Sequence, residues 1–149
     1  MSDGDLIKLY SGRILELAAD IPLTERLANP QATVKKRSPL CGSTVTVDLT
    51  LRDGRIADYG QDVKACALGQ AAASVVGANI LGRSRAEVET ARDQLKAMLK
   101  SDGPVPDAPF DGLQVLLPAK DFKNRHASIM LTLEAASEAM AQAEKSACA

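Results

Sequence analysis

Hydrophobic and polar positions alternate most cleanly between Ser43 and Leu51. Val45, Val47, Leu49 and Leu51 fall on one face, and Thr44, Thr46, Asp48 and Thr50 on the other. A period of two predicts a β-strand with one face buried. Asp53-Gly54 follows, a dipeptide suited to a tight hairpin turn, and Ile56 to Lys64 is expected to return antiparallel. Residues 20–40 hold no sustained period and contain Pro22, Pro30 and Pro39. They read as a long connection that includes a short edge strand near Ala32–Lys36.

The remaining apolar residues follow helical spacing. Leu6, Ile7, Tyr10, Ile14, Leu17 and Ala18 form one stripe from Asp5 to Ala19. Ala67 to Leu81 is alanine-rich and closes at Gly82, and Ser84 with Glu87 has the spacing of a capping box. That box opens a helix burying Val88, Ala91, Leu95 and Met98. Residues 101–124 carry Gly103, Pro104, Pro106, Pro109 and Pro118 and read as a long loop with a short turn or two. A last helix, from about Asn124 to Ala143, turns Met130, Leu133, Ala136 and Met140 inward. The expected architecture is α+β: a small antiparallel β-sheet of about three strands packed on one face by helices. It forms a single domain over residues 1–149, with a core from about 6 to 143 and a flexible tail over 144–149.

Composition narrows the function. Apolar residues make up 46% of the 149 positions, but aromatics only 3% and tryptophan none, so the core is aliphatic. A formal charge of −1 provides no general basic field, which argues against nucleic-acid binding. No apolar run approaches membrane-spanning length, and the polar start Met1-Ser2-Asp3-Gly4-Asp5 is not a signal peptide. Three cysteines are no disulfide framework. The expected setting is the reducing cytoplasm.

Chemistry concentrates in three short islands: Cys41-Gly42-Ser43, Ala65-Cys66-Ala67 and Arg125-His126-Ala127-Ser128. Each lies at a predicted boundary between elements, so the three are placed to converge. Two soft sulfurs and one imidazole suit a metal or a sulfur-handling site, one ligand short of a closed cage. Cys66 falls where a strand ends and a helix begins, and a helix N-terminus favours the thiolate. His126 falls in the first turn of the last helix beside Lys123 and Arg125, a setting that favours the neutral ring. The plain alternatives are buried packing cysteines, a capping histidine and, for Cys148, a thiol on a loose tail.

In these residues the chain resembles the IscU, SufU and NifU N-terminal family of iron–sulfur cluster scaffolds, over about Leu6 to Ala143. Asn29-Pro30 is similar to the Asn-Pro before the family's first strand, and Cys41-Gly42-Ser43 to its Cys-Gly-Asp. The segment from Ala65 to Ser74 resembles that of the second cysteine, and Arg125-His126-Ala127-Ser128 that of the third. The resemblance implies binding of iron or a [2Fe-2S] cluster through Cys41, Cys66 and His126. It also implies a cysteine desulfurase as partner, with Cys66 or Cys41 as acceptor of persulfide sulfur, and Cys66 has the better environment for a thiolate. The chain would act as a scaffold or carrier and not as an enzyme.

Two positions depart from the family. Ser43 stands where an aspartate is expected, and Ala127 where the third cysteine is expected. Protein-held clusters usually take four thiolate or imidazole ligands. A fourth would have to come from Cys148 folding back, from Asp62, from a second copy of the chain in a homodimer, or from a small thiol. A mononuclear Zn²⁺ or Fe²⁺ with an open water position fits three ligands better. A SufU-like zinc-site sulfurtransferase and a degenerate scaffold kept for binding its partner are therefore the alternatives. A Cys–His hydrolase built on Cys66 and His126 lacks an oxyanion-hole signature. Leu116-Leu117-Pro118-Ala119-Lys120 resembles in part the chaperone-recognition segment of IscU proteins, but Lys120 lies six residues before His126 rather than two.

Overall fold

The computed structural model describes residues 11–39 and 42–148, with side chains as far as Ser146. Leu6, Ile7, Tyr10 and Cys41 lie outside the described residues. Three strands, β1 (Ala32–Arg37), β2 (Thr44–Arg52) and β3 (Arg55–Lys64), form one antiparallel sheet in the order β1-β2-β3. The turn between β2 and β3 is Asp53-Gly54, with φ +55° and +76°, the left-handed pair that lets a two-residue turn follow the strands' twist. Val34, Val47 and Gln61 lie side by side across the sheet, as do Ala32, Leu49 and Tyr59. This inner face is buried, as the alternation predicts.

Helices cover it. They are α1 (Gly12–Ala19), α2 (Ala67–Asn79), α3 (Arg85–Lys100) and α4 (Lys123–Cys148). α4 lies across β1 and β2, while α2 packs between α1 and α4 and α3 lies along α4. α2 is buried almost all round, from Leu68 and Gly69 through Ala71 to Gly77, which explains its small side chains. Ser84 and Glu87 form the expected capping box, and Val88, Ala91, Leu95 and Met98 are buried. The family-like α+β architecture is the one observed.

Four details differ from the sequence pattern. Ser11 is extended, at φ −58° and ψ 161°, and caps the helix that begins at Gly12. The stripe expected as one helix from Asp5 therefore does not run unbroken through it. Residues 111–121, expected as loop, form a 3₁₀ helix, Asp111–Asp121. It buries Leu113, Leu116 and Ala119, three residues apart, the spacing of a helix with three residues per turn. The last helix, expected to end near Ala143, continues to Cys148, with Glu144 paired to Arg85 at 2.7 Å. The outer face of the sheet is covered too. The connection before β1 crosses it, and Asp48 is fully buried there. Its carboxylate accepts from Arg26 at 2.5 and 3.0 Å, the Leu27 N–H at 3.1 Å and Thr33 Oγ1 at 2.6 Å.

Candidate sulfur and metal site

Each of the three islands contributes one residue to a common point. Cys66 is the N-cap of α2, half-buried, with extended backbone at φ −66° and ψ 168°. β3 ends at Lys64 and α2 starts at Ala67, so the thiol sits where strand gives way to helix. Its Sγ lies 3.5 Å from Ser128 Oγ, in the second turn of α4. Ser128 Oγ in turn donates to Ser43 Oγ at 3.1 Å, just before β2. Ser43 and Ser128 are 4% and 1% exposed. Cys66 is thus the half-buried member of the group, and its Sγ points to hydroxyls that are themselves buried.

Local backbone makes this approach possible. The Ser38 N–H donates to the Ser43 carbonyl at 2.8 Å and the Gly42 N–H to the Ser38 carbonyl at 3.0 Å, closing the loop between β1 and β2. Gly42 has φ +71°, a conformation glycine adopts without strain. Gly69, in the first turn of α2, brings the helix directly onto α4. A Cβ there would fall 2.7 Å from Ser128 Oγ and 2.9 Å from the Ala65 Cβ.

The predicted site residues are placed as follows. Cys66 is at the centre of this point. His126 is 3% exposed, and its Nε2 lies 2.9 Å from the Ala119 carbonyl and 3.0 Å from the Lys120 carbonyl. Two carbonyl oxygens require Nε2 to carry a proton and donate it to them. The Leu116–Lys120 segment that resembles a chaperone motif lies in the 3₁₀ helix, and here it serves as the acceptor for His126. Asp62 is half-exposed and faces Lys64 at 4.0 Å. Cys148 continues α4 twenty residues beyond Ser128, about 30 Å along the axis at the rise of an α-helix. Among the described residues, no three His, Cys, Asp or Glu side chains cluster closely enough to hold a metal ion.

One site residue was missed from sequence. The α4 side chain that bonds to Cys66 is Ser128. α4 buries residues on nearly every side between His126 and Ala143, so its apolar pattern does not fix its rotation, and one residue is a turn of about 100°.

No model of a known protein family matches the chain, and no curated protein matches it. Solved structures do. A nitrogen-fixing NifU-like protein (N-terminal) from Brucella abortus is 42% identical, with 95% of this chain and 98% of that chain covered and a TM-score of 0.92. An iron–sulfur cluster assembly scaffold protein for the SUF system from Fervidobacterium islandicum AW-1 shares the fold at 18% identity, covering 90% and 98% with a TM-score of 0.81. A hypothetical protein at 20% identity covers 91% and 98% with a TM-score of 0.77.

Proposed function

The chain belongs to the IscU/SufU/NifU N-terminal family of iron–sulfur scaffold proteins, and from that premise we propose that it assembles or carries iron and sulfur at Cys66. Sulfur arrives on the Cys66 thiol from a cysteine desulfurase. Iron, or a [2Fe-2S] unit, is held as cargo by Cys41, Cys66 and His126, with the remaining ligand supplied from outside the chain. The protein acts as a carrier in this role and turns nothing over itself.

The observation that supports this reading is the meeting of Ser43, Cys66 and Ser128 at one point, drawn from the three islands. Cys66, half-buried at a helix start, is more accessible to a sulfur donor than the two buried serines. His126 adds a second support. Metal-binding histidines usually give their other ring N–H to a carbonyl, which fixes the tautomer and the ring. The Ala119 and Lys120 carbonyls do that for Nε2.

The test is anaerobic reconstitution with ferrous iron, sulfide and a thiol, followed by iron and sulfide analysis and absorption spectra. Wild type is expected to take up iron and develop sulfide-to-iron charge-transfer bands, and Cys66→Ser to lose both. His126→Ala is expected to lower iron retention. About one colourless metal ion per chain would favour the zinc sulfurtransferase instead. No metal in any form, with desulfurase binding kept, would favour a scaffold fold retained for partner binding alone.

A further inference from the structure

We propose that Ser128 positions the sulfur carried on Cys66, its hydroxyl turning from Ser43 to that sulfur when the load arrives. This rests on Cys66 being a sulfur acceptor. The hydroxyl has one proton and can also accept, and it rotates freely about its C–O bond. In the resting arrangement that proton points to Ser43 at 3.1 Å. Ser128 Oγ then has a lone pair for the S–H of Cys66 at 3.5 Å.

Loading changes what the cysteine sulfur offers. A sulfane donor, R–S–SH, gives its outer sulfur to Cys66–SH: the donor's S–S bond breaks, a new S–S bond forms on Cys66, and R–SH leaves with the proton. The transferred sulfur keeps its oxidation level, so no further oxidant is needed. Cys66 Sγ no longer bears a proton, and the Ser128 O–H turns to donate to the persulfide. Three facts favour this arrangement. Ser128 is 1% exposed, so water does not compete for its proton. The close approach of the Gly69 backbone fixes its place. Cys66 is the less buried residue of the pair, so a donor meets it before the hydroxyls.

The test loads the full chain with inorganic polysulfide, removes the excess, and follows the mass of the intact protein with time. Wild type is expected to gain sulfur and Cys66→Ser none. Ser128→Ala is expected to load but to lose its sulfur about tenfold faster, the effect of one hydrogen bond to sulfur. Ser43→Ala leaves the Ser128 hydroxyl in place and is expected to hold sulfur at least as long as wild type. Equal lifetimes in Ser128→Ala and wild type would overturn the proposal, as would equal shortening in both serine variants, which marks a packing role. A wild type that takes no sulfur, or a Cys66→Ser that takes as much, would overturn the acceptor reading and this proposal with it.

Discussion

Replacing Gly69 by alanine sets two effects of known size against each other at the heart of the site. In an α-helix, Gly→Ala is worth about 1 kcal/mol of stability from backbone entropy alone. Against it stands the contact. The new methyl would lie 2.7 Å from Ser128 Oγ, 2.9 Å from the Ala65 Cβ and 3.2 Å from the Ser128 carbonyl. The Ser128 hydroxyl can swing aside, but the Ala65 methyl and the α4 backbone cannot. Overpacking of this kind costs about 1–3 kcal/mol. The contact therefore outweighs the propensity, and a net loss of about 1 kcal/mol is expected. Urea unfolding followed by circular dichroism reads this as a lower midpoint at unchanged slope. The double variant Gly69→Ala/Ser128→Ala removes the closest contact, so its loss should fall short of the two single losses added together. A Gly69→Ala protein as stable as wild type, or more so, would refute the claim that α2 and α4 meet here without room for a methyl.

Other consequences follow from the same contacts. Burial pushes the Asp48 carboxyl up, but hydrogen bonds from Arg26, Thr33 and the Leu27 N–H hold it below the ordinary carboxylate value. Its stabilisation is therefore complete above about pH 4 and fades as pH falls through the lowered folded value. Asp48→Ala should cost about 2–3 kcal/mol at pH 7, less than a fully buried pair because Arg26 is half-exposed, and the gap to wild type should close in acid. Urea midpoints at several pH values check this. Ser84→Ala removes the cap accepting from the Glu87 N–H at 3.2 Å and should cost about 1 kcal/mol by thermal unfolding, with sulfur uptake unchanged.

The sheet was legible because strands announce themselves locally. Thr44 to Arg52 alternates strictly, and Asp53-Gly54 leaves little choice of turn. α3 was legible in the same way, from its capping box and its single buried stripe. Elements without that contrast were not. The 3₁₀ helix hides behind Pro118 and a spacing of three that no α-helical or strand template matches. Beyond Ala143, Glu144 of α4 pairs with Arg85, 59 positions away, a contact invisible to local patterns. The covered outer face rests on Asp48, which reads as an exposed strand residue until Arg26 and Leu27 are seen to reach it. At the site, Cys66 could be found from its place at a strand–helix boundary. Ser128 could not, since choosing it over Ala127 requires the rotation of a helix buried nearly all round.

The central claim, that sulfur and iron are brought together at Cys66 for delivery elsewhere, is tested most directly by assembly followed by transfer. The purified chain is incubated anaerobically with ferrous iron, cysteine, a dithiol reductant and a catalytic amount of cysteine desulfurase, separated from the enzyme, and mixed with an apo [2Fe-2S] ferredoxin. The account predicts charge-transfer bands on the chain that pass to the ferredoxin, and none from Cys66→Ser. Ferredoxin that stays colourless with wild type, or fills equally well with Cys66→Ser, would contradict it.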